Sequence, residues 1–524
     1  TLSRERKIQG LVHPDMSTNS PKASVDVVFI YPPWAVLGGR VSLQNSLPPL
    51  GILSIAAHLE TFGHCVAVYD IHAEVIDEEE VRRRLQRDRP RFIGISILTS
   101  MAIPAHKIAR ICKEELPDCI VVAGGTFPEA MPERMLRNSA FDVVVRGDGE
   151  LPMQQIVEGK PYAEIDGLSY RSGTVIQHNK PGELLMNLDE YPFPAYHLVD
   201  FKNYFPGTAT YRKLPAINML ATRGCPGACV FCNSAFTTLR TRDPIKVAEQ
   251  IRHLRENYGI RQVQFYDDTF TVMKKFVLDF CKKMIEMDLD ISWTAYIRGD
   301  CFSDQLASIM KQAGCHQVIL GIETGNIKIA ERMGKPIAHE RYQEAIHICH
   351  RHGIEVRGSF IIGHLGETWE TMEDTCNLAM ELDCDLLQLG INTPYPGTAL
   401  YNEAVESGML MHQDWYKYGL EEVIIEQPQL PNKEIYRFYN YAFRKFYLRP
   451  KPAIRMLKRL TTFRHIRDYL LAIYVLLLGQ SRKDWKEWDC WMNLKEEDYL
   501  DLNIENQDEV LRLTYELRQE SFVA

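Results

Sequence analysis

INMLATRGCPGACVFCNSAF, residues 217–236, joins a short apolar run to three cysteines. INMLATR (217–223) has the length and composition of a buried strand, and Gly224 ends it. Cys225, Cys229 and Cys232 then follow as C-x3-C-x2-C in the loop beyond. Downstream the same apolar text recurs as QVQFYDD (262–268), ISWTAYIR (291–298), QVILGIET (317–324), EVRGSFIIG (355–363) and LLQLGIN (386–392). Helical stretches such as PIKVAEQIRHLRENYG and HERYQEAIHICHRHG lie between them. Strands alternating with helices predict a parallel sheet. Six such repeats over 216–402 predict a partial (β/α)6 TIM-like barrel with its chemistry at the carboxyl ends of the strands.

Upstream, VDVVFIYPPW (25–34), CVAVYDI (65–71), FIGISIL (92–98), CIVVAGG (119–125) and FDVVVRG (141–147) alternate with helical text such as EEEVRRRLQRD. Residues 25–155 therefore read as a doubly wound α/β domain. A polar flexible arm (1–24) precedes it, and a mixed connector (156–215) with a hairpin-like RSGTVIQHN follows. From 403 to 524 the chain reads as a helical, aromatic-rich C-terminal domain. Trp415, Tyr416, Tyr436 and Tyr439 are read there as core or as cover for the barrel mouth.

The 524 residues are 45% hydrophobic and 25% charged, with mean hydropathy -0.22, which excludes a mainly disordered or multi-span membrane chain. Net charge is -9, so no nucleic-acid partner is expected. No charged segment leads into an apolar signal-like run, and no apolar run reaches the roughly 18 residues that cross a bilayer. The thirteen cysteines are odd in number and scattered. That disfavours a disulfide scaffold and predicts a reducing, cytoplasmic setting. Residues 444–467 hold nine Lys/Arg and no acid. They predict a basic face, solvated or paired with acidic segments such as EEDYLDLNIENQDE, in preference to peripheral membrane contact.

Soft thiolates packed this closely in such a setting ligate metal. Three of them fall short of a closed four-ligand zinc site and suit a cubane iron–sulfur cluster with one open iron. A three-thiolate zinc site and chance clustering are the competing readings. The spacing and its flanks resemble the radical S-adenosylmethionine superfamily. In that family the open iron of a [4Fe-4S] cluster binds S-adenosylmethionine, whose reductive cleavage yields a 5′-deoxyadenosyl radical. The resemblance implies a catalytic role for the three cysteines and an electron donor of flavodoxin or ferredoxin type. It also places Phe231 near adenine, Asp267 and Asp268 near the methionine amine, Arg298 opposite a carboxylate, Glu323 near the ribose and amino group, and Gly363 close to adenine.

A doubly wound domain ahead of such a barrel resembles the cobalamin-dependent (B12-binding) branch of this superfamily, most of it methyltransferase-like. Ligands in such sheets lie beyond the carboxyl strand ends. GGTFPE (124–129) and RGDGE (146–150) resemble that branch's loops. The resemblance makes Ser96, Thr99, Gly124, Gly125, Thr126, Gly147 and Glu150 candidates for cradling cobalamin. No D-x-H-x-x-G follows the first strand, so no histidine is expected on cobalt; His72 reads as a surface or loop residue. The resemblance implies methyl transfer from methylcobalamin to an unactivated carbon of a small-molecule or lipid-like substrate. Radical cyclisation or ring rearrangement on the same cofactors is the first alternative. A methylthiotransferase using Cys65, Cys112 and Cys119 for a second cluster is the second. A non-catalytic cobalamin or light sensor is disfavoured, because it has no use for a cluster.

Overall fold

In a computed structural model of the chain, the described residues are 25–34, 46–137, 140–207, 210–336 and 338–458, with Ile466 and Trp491. The arm 1–24, the apolar stretch after 467 and EEDYLDLNIENQDE lie outside them.

The N-terminal sheet contains β1 (Val27–Tyr31), β2 (Val66–Asp70), β3 (Phe92–Ser96), β4 (Ile120–Gly124), β5 (Val143–Val145), β6 (Leu168–Ser172) and β7 (Val175–His178). Its order is β2-β1-β3-β4-β5-β6-β7. The first five strands are parallel. β6 and β7 form the hairpin foreseen within the connector, and β6 pairs antiparallel with β5, so the sheet extends into the connector. Strands buried on both faces explain the unbroken apolar runs. The helix Leu50–Thr61 covers one face, and Glu78–Asp88 with Ala102–Glu115 covers the other.

The second sheet contains β8 (Ala216–Met219), then, after the short ribbon β9 (Thr222–Arg223) and β10 (Arg240–Thr241), β11 (Gln262–Phe265), β12 (Ser292–Ile297), β13 (Cys315–Glu323), β14 (Glu355–Ile362) and β15 (Leu386–Ile391). All six barrel strands are parallel in the order β15-β14-β13-β12-β11-β8, a half-barrel with helices outside. The expected strand 217–223 is split. It leaves the sheet after Met219, and Thr222–Arg223 pairs antiparallel with Arg240–Thr241 instead. The cause is long-range: Asp267, beyond β11, accepts hydrogen bonds from the backbone N–H groups of Ala221 and Thr222.

The helices Asn432–Tyr447 and Pro450–Lys458 end the last continuous stretch of described residues. Lys451 and Arg455 pair with Asp383, and Arg455 reaches Asp385 at 3.1 Å. With Lys445, which pairs with Glu373, three cations of the basic stretch thus meet carboxylates of the barrel. Trp415 is fully buried between the units, 5.1 Å from the Phe127 ring and under the Arg134 guanidinium. Trp491 is buried on the N-terminal unit, where its indole donates to the Ile76 carbonyl at 3.0 Å. Among the described residues no helix is long and apolar enough to cross a membrane.

Candidate functional site

The cysteine loop is closed by its own backbone. Gly224 has φ +92°, and a Cβ there would lie 2.3 Å from the Thr238 carbonyl, so only glycine fits. Cys225 N–H donates to Thr237 Oγ1 at 2.8 Å, and Phe236 N–H donates to the Gly227 carbonyl at 2.8 Å. The three thiols are free and half-buried. A Cβ on Gly227 would sit 3.3 Å from Cys225 Sγ, 4.0 Å from Cys229 Sγ and 3.5 Å from Arg298 Nη1, so the loop leaves these groups around one small backbone position. Burial pushes the Cys229 and Cys232 thiols up, while the Lys335 ammonium works against this at Cys229. Among the described residues no three His, Cys, Asp or Glu side chains converge on a single metal ion. The donor set, three unpaired soft thiolates on one loop with cations alongside, fits an anionic three-thiolate cluster.

Around this loop stand the other strand ends. Glu323 ends β13 at φ +69°, and its carboxylate pairs with Lys335 Nζ at 2.7 Å, both side chains nearly enclosed. Gly321 makes room for the pair: a Cβ there would lie 2.6 Å from Glu323 Oε1 and 2.7 Å from Lys335 Nζ. Arg298 holds Asp300 through Nε and Nη2 at 3.0 and 2.7 Å. Asp268 is exposed and neighbours Ser234 of the cysteine loop. Asp267 is wholly buried, its oxygens taken by Ala221 N–H, Thr222 N–H and Thr222 Oγ1–H at 3.1, 2.5 and 2.7 Å. Burial lifts its pKa to about 7. Gly363 has φ +76°, with its carbonyl held by Gln427 at 3.0 Å.

The carboxyl edge of the N-terminal sheet borders an open-sided cavity of about 240 Å3. Ser96, Gly124, Gly125, Gly147 and Glu150 line it, together with Leu220 and Arg223 from the chain entering the cysteine loop. A Cβ on Gly124 or Gly147 would meet nothing within 4 Å, so bare backbone faces open space at both positions. Arg223 bridges the units, donating to Glu150 at 2.5 Å and lying 3.4 Å from Asp148, which Arg240 also holds at 2.5 Å. A cavity floored by small residues fits the narrow end of a large cofactor.

Two family models match the chain. "B12 binding domain" covers residues 37–157, and "Radical SAM superfamily" covers 219–379. An uncharacterized methyltransferase of Pyrococcus horikoshii is 33% identical over 437 residues, 82% of this chain and 94% of that protein. The chain belongs to the cobalamin-binding branch of the radical S-adenosylmethionine superfamily. The anaerobic magnesium-protoporphyrin IX monomethyl ester cyclase of Rubrivivax gelatinosus is 26% identical over 438 residues, 80% of this chain and 77% of the cyclase. The solved radical S-adenosylmethionine methyltransferase TsrM from Kitasatospora setae shares the fold, with TM-score 0.60 and 18% identity over 74% of this chain and 76% of that one. Membership makes this a radical S-adenosylmethionine enzyme whose cofactors are a [4Fe-4S] cluster, S-adenosylmethionine and cobalamin.

Within the radical S-adenosylmethionine barrel, the structure brings the cysteines, Arg298 and Glu323 near one another. Phe231 turns instead toward the core shared with the N-terminal unit, packed against it half-buried. In the B12-binding domain Thr99 is buried, Thr126 is exposed, and neither lines the cavity. His72 corrects an expectation: it is buried, not on the surface, and its Nε2 accepts from the Trp34 indole at 2.7 Å. Desolvation lowers its pKa to about 4. Cys65 and Cys119 sit just before β2 and β4, at the amino ends of the strands, and Cys112 is buried in a helix, so none faces the carboxyl edge. Lys335 escaped sequence reasoning. It reaches the site because Val230 N–H donates to the Met333 carbonyl at 3.1 Å and Gly334, at φ +71°, packs on the Ala228 carbonyl.

Proposed function

We propose that the enzyme is a C-methyltransferase acting on an unactivated carbon of a small-molecule substrate. One observation carries this reading: Arg223, two residues before Cys225, also lines the cavity of the B12-binding domain, so the cofactor-bearing faces of the two units open onto each other. When bound, the cluster and S-adenosylmethionine supply a hydrogen-abstracting 5′-deoxyadenosyl radical, and the corrin supplies the methyl group.

The protein's part is to hold, orient and exclude water. Cys225, Cys229 and Cys232 hold the cluster. Glu323, Lys335 and Arg298 offer opposite charges suited to the amino and carboxylate ends of methionine. Gly363 lets adenine approach the backbone, and Asp268 closes the loop side of the site. Ser96, Gly124, Gly125 and Gly147 line the slot for the nucleotide tail, with Thr99 and Thr126 flanking it. Asp267 and Glu150 are positioning residues, the first for the loop entry and the second for Arg223.

The test is anaerobic reconstitution with iron, sulfide and cobalamin, followed by S-adenosylmethionine and a one-electron reductant. About four irons and one corrin per chain, with both 5′-deoxyadenosine and S-adenosylhomocysteine formed, support methyl transfer. Bound corrin with 5′-deoxyadenosine but no S-adenosylhomocysteine moves the assignment to radical cyclisation or rearrangement. About eight irons without corrin moves it to a methylthiotransferase.

A further inference from the structure

At the ends of the barrel strands several arginines and lysines have carboxylate partners, whereas Arg357 within β14 has none among the described residues. Glu323 meets Lys335, Arg298 meets Asp300, and Glu355 meets Arg212 at 2.8 Å. The Arg357 side chain of β14 has no ion pair or hydrogen bond among the described residues, and its Nε is buried without a partner. The residue is half-buried, and withdrawing part of a guanidinium from water without a countercharge costs free energy, which an anionic ligand would offset.

Strand alternation fixes where it points. Val356, Phe360 and Ile362 belong to the core beneath the helices, so Glu355, Arg357, Ser359 and Ile361 face the concave side. Register places Arg357 beside Ile319 of β13, which lies beside Tyr296 of β12; the Tyr296 ring meets Tyr266 edge-on at 6.1 Å. One step toward the carboxyl ends stand Gly321, Ser359 and Gln388, small or polar and all partly exposed. Above Gly321 lies the Glu323–Lys335 pair. Going down from the cluster side, the half-barrel thus offers the methionine-binding charges, then an open polar step, then an aromatic floor with one uncompensated cation.

We propose that Arg357 receives an oxyanion of the substrate, a carboxylate or a phosphate, with Ser359 and Gln388 as hydrogen-bonding neighbours and Tyr266 and Tyr296 packing on the attached carbon skeleton. The inference rests on the proposed methyl-transfer reading, takes the concave side of the half-barrel as the place of the substrate, and adds the substrate's chemical class. Planar guanidinium against carboxylate or phosphate is a strong, directional contact that fixes orientation as well as affinity. It would set which carbon faces the radical.

The test uses the full-length, cluster- and cobalamin-loaded enzyme with S-adenosylmethionine bound. Phenylglyoxal labelling of Arg357 is followed by peptide mass spectrometry, with benzoate and phenyl phosphate as probes and benzamide as the neutral control. Arg357 should label readily, and either anion should slow labelling at least about fivefold while benzamide does not. Arg357→Gln should weaken binding of the protecting anion, measured calorimetrically, by about 10- to 100-fold, as expected for a lost charge-assisted bond. Arg357→Lys should restore part of it. Affinity for S-adenosylmethionine should stay within about twofold in both variants. Equal protection by benzamide, or none by any probe, overturns the proposal. So does a Gln variant that loses S-adenosylmethionine affinity, which would assign Arg357 to that ligand. None of these readouts depends on methyl transfer, so failure of the reaction assignment shows separately, in the S-adenosylhomocysteine assay.

Discussion

Asp267 offers a sharp test of positioning against ligand contact. Replacing it by alanine strands three buried donors, Ala221 N–H, Thr222 N–H and Thr222 Oγ1–H. At about 1–3 kcal/mol for each unsatisfied group, the loss is about 3–9 kcal/mol, a large part of a domain's stability. Asp267→Ala is therefore expected to unfold early and to bind little iron. Asp267→Asn keeps Oδ1, which takes the two shortest bonds, and gives up only the 3.3 Å contact of Oδ2 with Ala221 N–H. It should fold, take up a full cluster and bind S-adenosylmethionine within about twofold of the parent.

The same carboxyl predicts a pH effect of definite sign. Its pKa is raised by burial from 3.8 to about 7, so the folded state holds the proton more tightly than the unfolded chain. Its contribution is most favourable below pH 4 and declines as pH rises through 7. Between pH 6 and pH 8 the decline is about 1.4 kcal/mol. Urea unfolding of the parent and Asp267→Asn at both values isolates this increment, because the asparagine does not titrate. A tenfold loss of S-adenosylmethionine affinity in Asp267→Asn, with cluster content and unfolding midpoint unchanged, would refute the reasoning. The carboxylate would then be a ligand contact.

Three further outcomes follow from the geometry. Cys229→Ala should abolish 5′-deoxyadenosine formation while cobalamin affinity, read from corrin absorbance, stays within about twofold; residual product would refute the cluster assignment. Gly321→Ala drives a methyl group into the Glu323–Lys335 pair, so S-adenosylmethionine affinity measured by calorimetry should fall about tenfold with cobalamin binding unaltered. Glu150→Gln weakens the hold on Arg223 by about 1–3 kcal/mol and should reduce corrin affinity, whereas Ser54→Ala on the far lining of the cavity should not.

Both parallel sheets were legible because strands covered on both faces are written as continuous apolar runs, and the three cysteines because thiolate chemistry tolerates few other uses of that spacing. What escaped depended on partners distant in the chain. The early exit of β8 is caused by Asp267, 46 positions after Ala221. His72 looked like a loop residue because its cover, Trp34, is 38 positions away. Lys335 follows a short helix with no motif of its own, and only the docking of Met333 and Gly334 on the cysteine loop brings its ammonium to Glu323. Arg357 did leave a signal. EVRGSFII alternates polar or small with apolar residues, a period that places its arginine on the face opposite Val356 and Phe360.

Two motifs that read separately, RGDGE and ATRGC, become one structure in the fold. Asp148 precedes and Glu150 begins the helix Glu150–Val157 after β5 of the B12-binding domain, and Arg223 precedes the cysteine loop in the barrel; ion pairs between them link cavity and cysteine loop. Glu150 is almost fully buried, so removing its partner would leave a carboxylate stranded in a low dielectric, a costly state. The pair is therefore a buried tie between the two units and not a surface ion pair. A ligand entering the cavity must either accept Arg223 in place or offer it a substitute anion. In the second case the displacement begins two residues from Cys225. Corrin occupancy and cluster geometry are then coupled through one side chain, and that coupling is what Glu150→Gln should weaken.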